Sequence, residues 1–509
     1  MVYWGRKVIL MDFTEYRSLD ATAMIAGIAS GDFTASELVD VAARRLRRVN
    51  PTLNAAVLDL SGAARRDVRD GLPSGPLHGI PMVVKDMDGT LAGVRCTMGS
   101  RSLVDWVPKN DSTLLGRYRA AGAVFLAKTN CPEFGMVGVT EPELHGPTRN
   151  PWNTDYTPGG SSGGTGAAVA GGVVPVGHGG DGGGSIRIPS SHCGLFGLKP
   201  SRGRMPTGPD IGEGWNGLAI PHALTRSVRD SALLLDVGRG VDPGAPYAEP
   251  PGPRSFVAAM QRRVKRLRIG VSRRAQLAGE IHADNLAAIE DAVALLTDLG
   301  HKVEEVDLQF DREELLAAFL TITVASIAQD VAATTSKTGR EPKANMFEPA
   351  TWFAYRLGQV LSAQDLEAAL AVRDRFARSM ATQMSGLDLH MTATTAIPPV
   401  KIGELNLSGI ERTGLGALRR LASISGPATN PLYRTLLAQL SEQLMAPNPN
   451  TETANLTGRP AMSVPLFWND TGLPIGTQFT ADLGQEALLL QLARELEEAR
   501  PWFDRVPPL

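Results

Sequence analysis

The chain has 509 residues, with 51 basic against 53 acidic side chains and 43% apolar content, a balance ordinary for a folded core and without the basic surface that a nucleic-acid partner needs. No run of about 18 consecutive apolar residues marks a membrane span. Three scattered cysteines, Cys96, Cys131 and Cys193, exclude a disulfide framework and a CxxC metal site, and fit a reducing, cytoplasmic setting.

The N-terminal MVYWGRKVILMDF carries charge but only a three-residue aliphatic run, much shorter than a signal-peptide core. Residues 1–14 are expected to be an extension and 15–509 one domain. Residues 33–49 predict a helix opened by a Thr34/Glu37 capping box, with Phe33 stapled onto Leu38; its Arg44, Arg45, Arg47 and Arg48 make a wet face. Apolar runs at 80–84, 123–127 and 173–176 predict buried strands, with a helix at 112–122 between the first two. RLRIGV (266–271) predicts a strand, 285–300 a helix stopped by Gly300, and 301–308 another strand. Residues 311–385 are expected to be mainly helical, broken at SKTGREPKAN. Strands at 461–468 and 472–481 and a helix at 485–499 close the chain. The alternation is that of an α/β layered fold, read as a single large domain with a helical insertion at 311–385.

One stretch stands apart. Residues 156–189, YTPGGSSGGTGAAVAGGVVPVGHGGDGGGSIRIP, hold thirteen glycines and three serines. Its apolar centre argues against a flexible linker, so the glycines point to a buried segment whose backbone faces something. A phosphate loop needs GxxxxGK[ST], yet no lysine occurs from 129 to 198, and GxGxxG follows none of the expected strands. The GxSxG matches around Ser161 and Ser162 follow a loop, NTDYTP, rather than the strand that a nucleophile elbow requires. A serine activated by lysine is the remaining chemistry. Before Ser185, the unobstructed N–H groups of Gly182, Gly183 and Gly184 could converge on an oxyanion.

The motifs GIPMVVKD (79–86), TNCPEFG (129–135), TRNPW (148–152), GGSSGGTGAAVA (159–170), DGGGSIRIP (181–189), CGLFGLKPSRGR (193–204), NLTGRPAMSVP (455–465) and GLPIGTQ (472–478) together resemble the amidase signature family. The likeness is strongest to its branch containing 6-aminohexanoate cyclic-dimer hydrolase. It implies an amidase-signature-like fold, a central mixed β-sheet covered by helices on both faces. Residue by residue, it implies Lys85 as base, Ser161 as a relay serine after a cis peptide from Gly160, and Ser185 as the acylated nucleophile, 24 residues beyond Ser161. The oxyanion hole would be the N–H groups of Gly182, Gly183, Gly184 and Ser185. The implied reaction is hydrolysis of a small, hydrophobic, linear or cyclic amide, with esters or carbamates open, and without cofactor or metal. A homodimer is left open, and no nucleic-acid or membrane partner is expected.

To serve as a base Lys85 must be neutral, which burial without a carboxylate partner would favour; Asp86, next on the strand, should face away. Phe134 and Met136, with Gly159 and Gly160, are candidate substrate contacts, and Trp352 and Phe353 of the insertion could complete an acyl pocket. Asp181 and Arg187 read as an ion pair bracing the loop, and Ser162 as a supporting hydroxyl. Lys128 competes with Lys85 on position alone. His178 and His192 lie too near Ser185 in sequence to suit a triad, and Cys193 reads as a buried small side chain. One departure stands out: the family usually has a β-branched residue where this chain has Gly182. Rival functions are the A subunit of a glutamine-dependent aminoacyl-tRNA amidotransferase, disfavoured by Ile188 where that protein has glutamine, a non-catalytic homologue, and a His-dependent esterase.

Overall fold

A computed structural model of the chain describes residues 11–405 and 445–509. Most of the expected extension, residues 1–10, lies outside the described residues. Met11 is already buried in the core and a helix starts at Phe13, so packed structure begins before residue 15.

The helix expected at 33–49 forms as Ala35–Leu53 with its capping box. The Phe33 ring lies against Gly27, where an added Cβ would meet it at 2.2 Å. Arg45, placed on the wet face by its charge, is buried and donates to the Gly171 carbonyl.

Eleven strands among the described residues form one mixed sheet. They are β1 (Ala56–Asp59), β2 (Pro81–Lys85), β3 (Val124–Thr129), β4 (Val176–Asp181), β5 (Phe196–Lys199), β6 (Ile220–Thr225), β7 (Arg268–Val271), β8 (Lys302–Glu305), β9 (Leu389–Ala393), β10 (Ala461–Trp468) and β11 (Pro474–Thr480). Their spatial order is β1-β3-β2-β4-β6-β5-β10-β11-β9-β7-β8. Strands β3, β2 and β4 run parallel, β6, β5, β10 and β11 alternate, and β9, β7 and β8 are again parallel.

One strand is displaced from its expected place. VVPV contributes only Val176, and β4 is instead VGHGGD. Pro175 has no N–H for a ladder. The glycines are tolerated because neighbours take their side-chain space: a Cβ on Gly177 would lie 2.5 Å from Thr165 and 2.8 Å from Val83. That close approach lets the helix Gly163–Ala170 lie directly on β2 and β4.

The 311–385 segment forms helices Arg312–Ala332, Thr334–Thr338, Pro349–Gly358 and Ala363–Gln383. Arg312–Thr338 is long and apolar enough to cross a membrane by length and composition, with mean hydropathy 1.7. Its Phe319, Ile322, Ile327 and Val331 are buried within the protein, and Phe319 reaches the glycine loop that precedes Ser185.

Candidate active site

Strands β2 and β4 are parallel neighbours, so their carboxyl ends open on the same edge of the sheet, where ligand crevices of α/β folds form. Lys85 is the last residue of β2, and Ser185 follows β4 by four positions. Ser161 stands just before the helix Gly163–Ala170, after a cis Gly160–Ser161 peptide. These three segments converge. The Lys85 Nζ donates to Ser161 Oγ at 2.9 Å, and the Ser162 N–H donates to the Ser185 carbonyl at 3.3 Å. Lys85 and Ser161 are each 1% exposed, whereas Ser185 is partly open to solvent. The Ser185 hydroxyl makes no hydrogen bond among the described residues.

Lys85 does have a carboxylate partner, contrary to the sequence expectation. Asp88, in a left-handed turn (φ 62°), accepts from Lys85 Nζ at 2.7 Å. Asp86 faces away as expected, accepting from the Thr97 N–H and hydroxyl at 2.9 and 2.5 Å. Lys128 belongs with it: its amine lies 3.6 Å from Asp86 and donates to the Gly89 carbonyl at 2.8 Å, remote in bonding from both serines.

The loop 181–187 is held by a bidentate pair with no exposed surface. Arg187 donates to Asp181 Oδ2 at 2.9 Å and Oδ1 at 2.7 Å, and also to Asn455 Oδ1, Gln478 Oε1 and the Thr451 carbonyl. Burial alone would raise the Asp181 pKa; the Arg187 charge and hydrogen bonds outweigh it and bring the pKa down to about 2. Asp181 in turn accepts from the Gly184 N–H at 2.8 Å and the Ile186 N–H at 3.2 Å. The four-donor oxyanion hole is therefore corrected: Gly184 is committed to Asp181, while the N–H groups of Gly182, Gly183 and Ser185 donate to nothing among the described residues. Thr451 closes the brace by donating to the Gly183 carbonyl at 2.7 Å. Asn455 and Gln478 sit inside the quoted NLTGRPAMSVP and GLPIGTQ motifs, which was the sequence signal for their part in this brace.

Ser162 is structural, its hydroxyl 3.4 Å from the Gly180 carbonyl. Gly159 and Gly160 are buried and seat Ser161 rather than line a cleft. Phe134 is 0% exposed and packs on Phe347, so it backs the cleft wall; Met136 is partly exposed in the same cluster. Trp352 joins that cluster, stacked on Phe347, and Phe353 does not. His178 and His192 are buried, His178 with both ring nitrogens unpartnered among the described residues, and burial lowers their pKa to about 3 and about 4. Burial raises the Cys193 thiol. None of these three side chains hydrogen-bonds a serine among the described residues. The described residues hold no cluster of three or more His, Cys, Asp or Glu suited to a metal ion.

Two further residues complete the picture. Trp215 explains the glycine at 182: a Cβ there would lie 2.9 Å from the indole Cε3, so the tryptophan fills the space that a β-branched side chain would need. Gly135 has φ 67°, and a Cβ on it would stand 2.8 Å from Met87 Sδ and 3.2 Å from Ser161 Oγ. Gly135→Ala is expected to push Ser161 off Lys85 and lower kcat/KM on the order of 10–100-fold, with the fold retained by circular dichroism.

The Amidase family matches residues 37–490. A 6-aminohexanoate-cyclic-dimer hydrolase of Paenarthrobacter ureafaciens is 36% identical over 500 residues, covering 96% of each chain. A solved structure of 6-aminohexanoate cyclic dimer hydrolase complexed with substrate superposes with TM-score 0.86 at 33% identity, over 97% of this chain and 99% of that one. The glutamyl-tRNA(Gln) amidotransferase protein of the rival reading, from Thermotoga maritima, is more distant, with TM-score 0.69 and 25% identity over 96% of each chain.

Proposed function

The chain belongs to the amidase family, whose members hydrolyse carbon–nitrogen amide bonds, and from that premise we propose that it cleaves a small hydrophobic, linear or cyclic amide through an acyl-enzyme on Ser185. The observation that carries this reading is the 2.9 Å bond from Lys85 to Ser161, tied by main chain to Ser185.

With Lys85 deprotonated, Ser185 Oγ attacks the amide carbonyl carbon as Ser161 Oγ takes its proton and passes its own to the Lys85 amine. Asp88, at 2.7 Å, stabilises the ammonium that forms. The carbonyl oxygen becomes an oxyanion within reach of the Gly182, Gly183 and Ser185 N–H groups. Collapse breaks the carbon–nitrogen bond, and the proton returns from Lys85 through Ser161 to the departing amine. Water, deprotonated by the same relay, then attacks the ester and restores Ser185. Every step is a proton or acyl transfer, so the chain's own groups suffice. Three buried free cysteines support a reducing, cytoplasmic setting.

A serine-reactive fluorophosphonate tests the assignment. Intact mass should rise by one adduct, peptide mapping should place it on Ser185, and Ser185→Ala should remain unlabelled. An adduct on another serine would remove Ser185 as nucleophile.

A further inference from the structure

The three glycines before Ser185 leave space that distant parts of the chain fill. A Cβ on Gly182 would lie 2.9 Å from Trp215 Cε3, one on Gly183 would lie 3.1 Å from Phe319 Cζ, and one on Gly184 would run into Thr451 Oγ1. Gly182 and Gly183 stand outside the left-handed region, so the aromatic rings, and not the backbone, bar a side chain at these two positions. Both residues also supply oxyanion donors. A glycine segment has no side chain of its own to fix its orientation, and the rings packed on it take over that task.

Both rings are held from the helical insertion. Phe319 and Ser326 lie seven residues apart on the Arg312–Ala332 helix, hence on one face. Ser326 Oγ accepts from Asn216 Nδ2 at 3.1 Å, and Arg373 of the Ala363–Gln383 helix donates to the Asn216 carbonyl at 2.8 Å. Trp215 and Asn216 are consecutive residues in the left-handed region, with φ 49° and 51°, a turn that persists only where surrounding contacts hold it. At its far end the Leu218 carbonyl accepts from Asn455 Nδ2 at 3.0 Å, and the same amide donates to the Asp181 carbonyl at 2.9 Å. The turn carrying Trp215 is thus fastened to the insertion on one side and to the Asp181–Arg187 brace on the other.

Resting on the amidase reading, we infer that Trp215 and Phe319 are positioning residues for the oxyanion hole: the insertion sets the Gly182–Gly183 peptide through these two rings, and the Asn216–Ser326 bond transmits its hold to Trp215. Neither ring takes part in the hydrogen bonds of Lys85 with Asp88 and Ser161. Losing one therefore weakens oxyanion stabilisation and spares the proton relay.

Full-length variants test this. Trp215→Ala and Phe319→Ala should each lower kcat for butyryl p-nitroanilide about 10–100-fold with KM within threefold, because the oxyanion contact is made in the transition state. Ser326→Ala should cost about 3–10-fold in kcat, and nothing further in the Trp215→Ala background. Gly182→Thr should be damaging in the parent but raise kcat at least tenfold when added to Trp215→Ala, since the threonine then takes the place of the indole. Hydrogen exchange at the Gly184 and Ile186 N–H groups, both bonded to Asp181, should quicken in each aromatic variant while β10 and β11 stay protected. Phe319→Leu and Ser326→Ala carry the test if an alanine variant at an aromatic position fails to fold. A kcat within threefold of the parent in either aromatic variant, losses confined to KM, a full Ser326→Ala cost without Trp215, no rescue by Gly182→Thr, or unchanged loop exchange overturns the inference. Exchange is measured without turnover, so a loop that quickens in both variants of a parent that cleaves no amide upholds the positioning role and defeats the amidase reading instead.

Discussion

Lys85→Met should lower kcat by about 10³-fold or more while leaving the protein folded. The methionine stem fills the space of the lysine stem, so packing around β2 changes little. What disappears is the only amine bonded to Ser161 among the described residues, 2.9 Å from its oxygen. Without it Ser161 has nowhere to send its proton, and Ser185 is left as an unactivated hydroxyl. General-base removal alone costs about 10²–10⁴-fold, and groups that act as one unit fail together. Lys85→Arg separates base from charge. A guanidinium keeps the positive charge beside Asp88 but does not release its proton in a protein, so it should be as inactive as Met. Substantial activity in Lys85→Arg would show that Lys85 only orients Ser161. The measurement is single-turnover acylation with an anilide, with the fluorophosphonate labelling rate of Ser185 as an independent readout.

Lys85, Ser161 and Ser185 stand out in the sequence through the motifs that carry the family resemblance, and the structure sets them at a strand end, a glycine turn and a glycine loop. The Asp181–Arg187 brace is legible because its partners lie six residues apart. Strand β4 is not, because VGHGGD has almost no β-propensity of its own; Thr165 and Val83 make it a strand by filling the faces of Gly177, and those contacts exist only after folding. Asp88 is hidden for a different reason. Its pairing with Lys85 depends on a left-handed turn, a conformation uncommon at any non-glycine position and unmarked by the local sequence. The commitment of Gly184 to Asp181 is likewise a matter of orientation, since four adjacent N–H groups look alike in a string of glycines. Trp215 comes from a segment without a motif, and tertiary packing alone brings it over the loop.

Arg187→Met should have the second large effect, on stability and catalysis together. Its guanidinium makes five hydrogen bonds with no exposed surface, two of them to Asp181. Removing one partner of a buried pair leaves an uncompensated charge and typically costs about 3–5 kcal/mol. The sign of the pH dependence follows from the depressed Asp181 pKa, about 2 against an ordinary 3.8. That depression contributes roughly 2 kcal/mol of stability, present above pH ~4 and lost as the pH falls toward 2. In Arg187→Met the attraction is gone and burial dominates, so the Asp181 pKa moves above its ordinary value. The variant's deficit should then be greatest at pH 7 and shrink as the medium is acidified and Asp181 takes up a proton. Urea unfolding at pH 7 and pH 4 reads this directly, and a deficit independent of pH would mean that lost packing, not the unpaired carboxylate, dominates. Asp181→Asn combined with Arg187→Met should recover part of the stability by removing the buried charge. Activity should not return with it, because Asp181 orients the Gly184 and Ile186 N–H groups as a charged acceptor of both, and an asparagine side chain offers only one carbonyl oxygen. A double variant that regained kcat along with stability would show that the pair holds the fold but not the oxyanion loop.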